Sequence, residues 1–359
     1  MHILQDVEPT KNFMTKRNKR IIFITLALLL AIIGVFCVEQ YYRLNVSNLR
    51  SRDGEHHSYK IYPESSLDSV MTLIGTDYSI ASQWAFDFHA EKMDFTTPQP
   101  GFYRFPTMMG DRYFIRRLQL GEQTPMKLTF NHYIRTREQL AGKLASSLLL
   151  DSIDILRRLE SDEYMAQFGL NKETSICLFI PNTYEVYWTI SPDQLFERMY
   201  KEYNRFWNER RRHKADSIGL TPVEVAIVAS IVEGETHNKE ELPIVASLYL
   251  NRVHRGMLLQ SCPTVIYANG DFTLRRVLKR HLAIDSPYNT YKYPGLPPGP
   301  IRCAAPATID VVLNAPATDY LYMCANPDFS GTHIFSSKYS QHAAAAVEYR
   351  HQLDERQIK

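Results

Sequence analysis

The most informative stretch of the sequence is Ala229-Ser230-Ile231-Val232-Glu233-Gly234-Glu235-Thr236, where an apolar segment runs into two carboxylates. The segment belongs to a helix with a well-marked start. Thr221 is a suitable N-cap, Pro222 stands at the first helical position, and Glu224 follows the cap by three residues, which completes a capping-box pattern. The sequence therefore predicts a helix that begins at Pro222 and ends near the two glutamates.

One face of this predicted helix is apolar up to its last turn. Val223, Ile227 and Ile231 recur every four residues, and the next position at that spacing is Glu235. A carboxyl group on a core-facing stripe is partly desolvated, which raises its pKa toward the range of a general acid. Glu235 is therefore our candidate general acid.

Glu233 points to another side of the same helix. Two residues correspond to roughly 200° of rotation in a helix of about 3.6 residues per turn. The two carboxylates therefore cannot both face one small ligand while the helix persists. An alternative stays open, in which Gly234 ends the helix and both glutamates lie in a solvated last turn.

The composition is that of an ordinary globular chain. Its 359 residues suffice for two domains, with 22% charged and 45% hydrophobic residues. The formal net charge of +2 gives no reason to expect nucleic acid as a partner. No ligand residues have the spacing of a metal site, and no glycine-rich loop resembles a phosphate cradle. We expect neither a metal nor a cofactor.

An uncharged run from Ile21 to Val38 reaches the lower end of the usual length of a membrane-spanning helix. Basic residues at 16, 17, 19 and 20 precede it, so the positive-inside rule places the N-terminus in the cytoplasm and the remainder outside. A cleaved signal peptide would need a small-residue cleavage site, which this run lacks. Lipoprotein cleavage before Cys37 would follow the bulky Phe36. We therefore expect an uncleaved anchor.

Four further cysteines lie outside this run, at positions 177, 262, 303 and 324. Their wide spacing is not that of a zinc site. A chain outside the cytoplasm permits disulfides. A bridge between Cys262 and Cys303 and free buried thiols both stay open.

Short alternating strands and helical patterns follow the anchor, which predicts the α+β class. The region that ends near residue 135 is mixed, and the next one, up to Ala215, is mostly helical. The predicted elements are strands at Tyr59–Ile61, Gly101–Phe105 and Met126–Phe130, helices at Leu67–Ile74 and Thr136–Leu150, and a loop at Pro181–Tyr184.

The last part of the chain combines helices with loops rich in Pro, Gly, Asn and Tyr. A second amphipathic helix is predicted from about Lys239 to Arg255, where Gly256 stops it. The loops cover Gln260–Tyr267, Pro287–Tyr291 and Gly295–Ile301. Ordered loops of this kind commonly build binding clefts.

Read together, these segments resemble the YceG-like family. The resemblance covers nearly all of the region from about 220 to 345 and is thinner upstream. Cys262 departs from it, because an acidic residue is common in the family at that position. The motifs that carry it are Ala229–Thr236, Val245-Ala246-Ser247 with Asn251-Arg252, Leu259-Gln260 with Pro263–Tyr267, Tyr288–Tyr291, Gly295–Ile301, Tyr320–Tyr322 and Gly331–Phe335.

This resemblance implies an endolytic lytic transglycosylase of peptidoglycan, which cleaves the β-1,4 bond between N-acetylmuramic acid and N-acetylglucosamine without water. The product carries a 1,6-anhydro-muramyl end. The family's catalytic glutamate corresponds to Glu235, in agreement with the helical stripe, and it would act first as general acid and then as base. The expected partners are peptidoglycan glycan strands, the membrane and cell-wall synthases.

The resemblance also implies an order of domains in a single-pass protein of the bacterial cytoplasmic membrane. Its catalytic part would lie outside the cytoplasm. We expect a cytoplasmic tail at 1–20, a transmembrane helix at 21–38, a linker at 39–58, a LysM-like domain at 59–135, a helical connecting region at 136–215 and a YceG-like catalytic domain at 216–359.

Candidate substrate contacts lie mainly on the loops, where side chains can hydrogen-bond sugar groups or stack on them. Turn-forming roles are the alternative for the loop residues, and simple packing is the alternative for the histidine. Glu233 could orient a cleft loop or pair with Arg252. The candidates are Glu233, Gln260, Tyr288, Asn289, Thr290, Tyr291 and His333.

Two other functions stay open. The chain could be a membrane-anchored peptidoglycan-binding scaffold with little catalytic turnover, although an intact Glu235 argues against a decayed site. It could also be a muramidase that uses water, which would leave reducing ends instead of anhydro ends.

Overall fold

The structure is a computed structural model that describes residues 16–274 and 276–355. Most of the expected cytoplasmic tail therefore lies outside the described residues. The described chain contains antiparallel strand pairs and long runs of consecutive helices, which confirms the α+β class. The chain divides into two compact units between Pro125 and Met126, and each unit has its own hydrophobic core.

Helix α1 (Lys16–Val46) contains the expected anchor. Its segment Lys16–Tyr42 is long and apolar enough to cross a membrane, and its apolar side chains are exposed. Within the described ranges, the only other candidate is a pair of helices, Glu209–Ser217 and Pro222–Glu235, joined at a 77° bend. The second helix of that pair lies in the core of the second unit, so α1 is the anchor candidate.

The rest of the first unit is a small α+β arrangement. Strand β2 pairs antiparallel with β4, and β1 lies between β3 and β5 in an antiparallel sheet. Because β1 pairs on both sides and Leu49 is buried, the stretch expected as a linker also contributes to this unit. The elements are β1 (Leu49–Ser51), β2 (His57–Ile61), α2 (Leu67–Gly75), β3 (Tyr78–Ile80), α3 (Gln83–Lys92), β4 (Gly101–Phe105), β5 (Met108–Met109) and α4 (Asp111–Leu120).

The second unit begins with a strand pair followed by helices. Strand β6 pairs antiparallel with β7, so residues 126–135 lie in this unit and not in the first. The prediction of a loop at Pro181–Tyr184 is wrong, because β7 begins at Asn182 and Tyr184 is buried within this strand. The first elements of the second unit are β6 (Met126–Phe130), α5 (Arg137–Ser147), α6 (Ser152–Glu160), α7 (Asp162–Ala166), a 3-10 helix (Ser175–Leu178), β7 (Asn182–Val186), α8 (Pro192–Phe206) and α9 (Glu209–Ser217).

The remaining elements surround the helix that carries the two glutamates. That helix is α10, and α9, α11, α12 and α14 pack against it. The second predicted helix, α11, begins at Leu242 and is followed by Gly256 at a φ of 63°. These elements are α10 (Pro222–Glu235), α11 (Leu242–His254), α12 (Cys262–Asn269), α13 (Lys279–Leu282), α14 (Pro306–Leu313), β8 (Tyr322–Ala325), β9 (His333–Ser336) and α15 (Tyr339–Glu355).

The start of α10 has the predicted capping box. The Thr221 hydroxyl accepts the Glu224 N–H at 3.2 Å, and the Glu224 carboxylate accepts the Thr221 N–H at 2.7 Å. Beyond the first turn, every residue from Val225 to Glu233 is buried. The helix is therefore enclosed on all sides, where the sequence indicated a single apolar stripe, and its last turn is not a frayed, solvated end.

Candidate active site

Glu235 is the last residue of α10, and one oxygen of its carboxyl group receives two hydrogen bonds. The Tyr249 hydroxyl donates to Oε1 at 2.7 Å, and the Ser261 hydroxyl donates to the same atom at 2.5 Å. Within 16–274 and 276–355, Oε2 has no hydrogen-bond donor. The side chain is half-buried. Oε2 is therefore the oxygen that can exchange a proton with a bound molecule.

The electrostatic surroundings favour a protonated carboxyl group. Burial raises the pKa of Glu235 above its ordinary value, while the Ser261 and Tyr249 hydroxyls act in the opposite direction. Burial and the charge of Glu235 raise the pKa of Tyr249 well above its ordinary value, so its hydroxyl stays protonated and donates. Because both donors bind Oε1, a proton taken up by this carboxyl group would lie on Oε2.

The serine is held in place by the loop that follows α13. Thr290 accepts the Ser261 N–H on its hydroxyl at 3.0 Å and the Gln260 N–H on its carbonyl at 3.0 Å. Thr290 also hydrogen-bonds the Thr264 hydroxyl at 2.8 Å. It is 1% exposed, so its groups position the Ser261 segment from inside the protein.

Asn289 supports the same loop. Its side-chain amide donates to the carbonyls of Leu282 and Ile284 at 2.9 and 2.8 Å, and its carbonyl accepts the Tyr291 N–H at 3.1 Å. The residue has no exposed surface. The structure places Asn289 and Thr290 behind the surface of the site.

A pocket of about 240 Å³ lies beside the acid. Tyr249, the donor to Glu235, lines it together with Arg252, Gln260 and Tyr291. Gln260 is exposed and has a φ of 51°, a left-handed conformation that is costly for a residue with a side chain. The Arg252 guanidinium donates to the carbonyls of residues 258, 259 and 321, so main-chain groups fix this cation at the pocket.

Glu233 has different surroundings. It is 7% exposed, and its Oε1 accepts the Ala305 N–H at 2.8 Å, while its Oε2 has no partner among the described residues. Burial raises the pKa of Glu233, whereas hydrogen bonding by Thr308 and by the Ala305 amide acts to lower it. The structure therefore gives Glu233 a contact with the loop before α14, and not the alternative ion pair with Arg252.

Two other candidate residues are engaged within the protein. The Tyr288 hydroxyl donates to the Glu173 carboxylate at 2.8 Å, and the side chain is buried. His333 contacts Glu241 through Nδ1 at 2.9 Å, and its backbone N–H donates to the same carboxylate at 2.6 Å. The positive charge of a protonated His333 would favour ionised Glu235, so this histidine lies within electrostatic range of the acid.

All five cysteines are free in the structure. Cys262 lies 3.3 Å from the Tyr291 hydroxyl, whereas Cys303 is buried beside the Ile176 carbonyl. The bridge between Cys262 and Cys303 that the sequence left open is not formed. Within 16–274 and 276–355, His, Cys, Asp and Glu form no group of three or more that could hold a metal ion.

Sequence reasoning missed the two hydroxyl donors. Tyr249 occupies a position on α11 that packs toward α10, and Ser261 directly precedes the Cys262-Pro263 start of α12. The available signal was weak, consisting of a tyrosine between two leucines on α11 and a serine between two recognised motifs. Only the packing of α11 and α12 against α10 brings the two groups to one carboxyl oxygen.

The fold and the site define a class of protein: an α+β chain with an apolar N-terminal helix and, in its second unit, a desolvated carboxyl group held by two hydroxyl donors beside a pocket. The model of the YceG-like family matches residues 59–348, which is well over half of the chain. The chain belongs to the YceG-like family.

Individual proteins show the same relationship. The endolytic murein transglycosylase of Bacillus subtilis (strain 168) is 27% identical over 304 residues, which cover 79% of this chain and 82% of that protein. The protein of that name from Streptococcus pneumoniae serotype 2 is 25% identical over 276 residues. These cover 67% of this chain and 49% of the pneumococcal protein, so the match spans about half of that relative's length.

A solved structure is also similar. The crystal structure of a yceG-like protein from Listeria monocytogenes aligns with a TM-score of 0.53 and 27% sequence identity. The alignment covers 81% of this chain and 99% of that chain. The likeness therefore extends over most of both chains.

Proposed function

We propose that the chain is a lytic transglycosylase that cuts peptidoglycan glycan strands internally. Membership of the YceG-like family and the names of the relatives from Bacillus and Streptococcus support this activity. The observation that carries the proposal is the carboxyl group of Glu235, whose pKa is raised by burial and whose Oε1 is already occupied by two hydroxyl donors.

Glu235 performs both proton transfers of the reaction. Protonated on Oε2, it donates to the glycosidic oxygen as the bond to C1 of the muramyl residue breaks and an oxocarbenium-like state forms. The carboxylate then accepts the proton of the C6 hydroxyl while that oxygen attacks C1. The products are a strand with a 1,6-anhydro-muramyl end and a strand with a new free hydroxyl, and Glu235 is protonated again.

The hydroxyls of Tyr249 and Ser261 act between the two transfers. Their hydrogen bonds to Oε1 stabilise the carboxylate that exists after the first transfer, because hydrogen bonds to an ionised group are stronger than those to a neutral one. The intramolecular C6 hydroxyl replaces a nucleophilic water or a second carboxylate. One acid therefore suffices, whereas hydrolases that retain or invert configuration generally use a pair of carboxyl groups.

Gln260 and Tyr291 are the proposed contacts to the sugars, because both line the pocket beside the acid. The Gln260 amide can hydrogen-bond an N-acetyl group, and the Tyr291 ring can pack on a sugar face. The other candidate substrate contacts contribute by positioning loops or the acid. These are Glu233, Tyr288, Asn289, Thr290 and His333, which are engaged within the protein.

The proposal extends to the place of the enzyme in the cell. Helix α1 anchors it in the bacterial cytoplasmic membrane, with the N-terminus inside and the catalytic part outside, as the basic residues before the apolar run favour. The LysM-like domain, expected at 59–135, ends at Pro125 because residues 126–135 belong to the second unit, and it binds peptidoglycan. The mostly helical region at 136–215 connects it to the catalytic domain. Cell-wall synthases at the same membrane are the proposed partners.

Product analysis tests this function. The full chain in detergent micelles is incubated with uncrosslinked glycan strands, beside its Glu235→Gln variant, and the products are identified by mass spectrometry. A truncation at Arg52 is unsuitable because it removes β1. Anhydro ends from the parent and none from the variant are expected. Reducing ends would identify a muramidase, and binding without cleavage would identify a scaffold.

A further inference from the structure

A second pocket, of about 70 Å³, lies at the end of α10 that carries the acid. Gly234 and Pro263 form part of its wall, next to Glu235 and close in sequence to Ser261. Arg135 and Arg302 also line it. This arginine pocket, defined by Arg135 and Arg302, has no part in the chemistry described above.

Neither arginine is neutralised by an ion pair in the parts of the chain that the structure describes. Arg302 is only 7% exposed, and its Nε–H is buried without a hydrogen-bond partner among the described residues. A buried, unpaired donor on a charged group is costly, by more than a lost neutral hydrogen bond. Such a group is stabilised when a ligand supplies the missing acceptor.

Two like charges share the pocket. The Arg135 guanidinium lies 4.9 Å from the centre of the Phe272 ring, and its positive charge adds to burial in lowering the pKa of Arg302. Glu233 and Tyr133 act in the opposite direction, but Glu233 does not come close enough to form an ion pair with either arginine. The pocket therefore keeps a positive potential that an anion would relieve.

The geometry points to an anion that is part of the substrate. We propose that the arginine pocket binds a carboxylate carried by the muramyl residue next to the scissile bond. This inference rests on the proposed function. The sugars of a glycan strand are uncharged, whereas the lactyl substituent of the muramyl residue ends either in its own carboxylate or in a peptide stem that bears carboxylates. Guanidinium groups match a carboxylate with paired N–H donors.

The position of the arginine pocket suggests what a bound carboxylate would do. Gly234 is adjacent to the acid in sequence. Only glycine fits at this position, because a Cβ at Gly234 would lie 2.6 Å from Pro263 Cβ. Because Gly234 lines the pocket, a carboxylate held there would place the muramyl residue at the end of α10 that carries Glu235. The arginine pocket thus selects the muramyl side of the alternating strand for cleavage.

The test is a binding measurement that needs no turnover. The full chain with Glu235→Gln in detergent micelles is titrated with fluorescently labelled strands, and affinity is read from anisotropy. Three strands are compared: one with intact peptide stems, one trimmed by an amidase to free lactyl carboxylates, and one whose carboxylates are blocked as neutral amides. Arg302→Met and Arg135→Met are made in this background, with Arg255→Met, an exposed arginine of the same unit, as the matched control.

The parent should bind carboxylate-bearing strands about tenfold more tightly than blocked ones, which is the usual strength of a hydrogen bond to a charged group. Arg302→Met and Arg135→Met should remove this preference, and Arg255→Met should keep it. Preference for the trimmed strand alone would identify the lactyl carboxylate as the ligand, preference for intact stems alone would identify a stem carboxylate, and preference for both would show that the pocket accepts either one. Arg135 is less buried than Arg302, so Arg135→Met tests the inference if Arg302→Met fails to fold.

Three results would overturn the inference: equal affinity of the parent for blocked and charged strands, equal losses for both kinds of strand in the arginine variants, or no binding to any strand. The outcome is independent of the cleavage assay. If no anhydro ends form while selective binding persists, the proposed function fails and the arginine pocket stands. If anhydro ends form without a charge preference, the reverse holds.

Discussion

At the scale of single residues, the two glutamates differ through their surroundings and not through their type. Glu235 has one oxygen held by two hydroxyls and the other available to a ligand, whereas Glu233 binds a backbone amide inside the protein. Both carboxyl groups are desolvated, and burial raises both pKa values. Desolvation alone therefore does not identify the acid. The two hydroxyl donors to Glu235 distinguish it from Glu233, and one of them, Tyr249, lines a pocket.

Replacing each glutamate by glutamine should separate their roles. Glu235→Gln should lower the rate of strand cleavage by about 10²–10⁴-fold, the usual contribution of a general acid. Glu233→Gln should cost much less, because its amide oxygen can still accept the Ala305 N–H. The measurement is the initial rate of formation of anhydro ends. Equal losses in both variants would contradict the single-acid assignment.

Removing a hydroxyl donor should change the pH dependence of cleavage. Because the Tyr249 hydroxyl favours ionised Glu235, Tyr249→Phe should raise the pKa of the acid further. Activity requires the protonated form and is lost as pH rises through that pKa, so the alkaline limb of kcat/KM should move to higher pH. Ser261→Ala should move it in the same direction. A limb that stays in place or moves to lower pH would count against this network.

Ionised Glu235 should also lower the stability of the fold. A carboxyl group whose folded-state pKa is raised stabilises the fold below its unfolded-state pKa, and this contribution is lost as pH rises through the folded-state pKa. Glu235→Gln should therefore have a higher Tm than the parent at neutral pH and show little difference near pH 4. Calorimetry of both proteins across this range is the check, and an unchanged difference at all pH values would argue against a desolvated acid.

At the scale of elements, α10 sets the site because it is enclosed by its neighbours. Helix α11 supplies Tyr249, and the segment before α12 supplies Ser261. The close approach of Gly234 to Pro263 allows that segment to reach the end of α10. The site is therefore a junction of helices, and a small displacement of α12 would remove a donor.

Two glycine substitutions test this junction. Gly234→Ala would place a Cβ 2.6 Å from Pro263, so α12 should shift and cleavage should fall although the helix gains a better helix former. Gly142→Ala on α5 is the matched control, since a Cβ there meets nothing within 4 Å. It should stabilise the protein by about 0.5–1 kcal/mol and leave activity unchanged. Denaturant unfolding and product assays measure both, and full activity in Gly234→Ala would refute the argument.

At the scale of the whole molecule, the chain combines an apolar helix with two compact units. Each unit has its own core, and the candidate site lies entirely within the second. The apolar helix and the candidate site can therefore be altered separately.

Charges in the middle of α1 should release the protein from membranes. Leu29→Arg together with Ile32→Arg should cost about 5–7 kcal/mol of insertion free energy, since each central arginine costs about 2.5–3.5 kcal/mol. Tyr41→Arg with Tyr42→Arg, beyond the apolar run, is the control. Fractionation with alkaline carbonate should find the first variant soluble or degraded and the control in the membrane. Full retention of the first variant would contradict a spanning helix.

Local elements were well predicted from the sequence, because their signals are short-range. The capping box at Thr221, the strand Gly101–Phe105 and the strand Met126–Phe130 occur where the patterns placed them. Strand β7 was missed, because Asn182–Val186 becomes a strand only by pairing with β6, more than fifty residues earlier. Partners at that distance leave no periodic trace in the sequence.

The sequence by itself determined the apolar N-terminal helix, the start of the helix that carries Glu235 and the resemblance to a known family, since each depends on neighbouring residues or on motif order. Tertiary structure alone decided which groups meet. Packing brought Tyr249 and Ser261 to one oxygen of Glu235 and left Arg135 and Arg302 facing one pocket, with no ion-pair partner among the residues that the structure describes. These contacts join residues far apart in the chain, and their energies come from burial, which only the folded state provides.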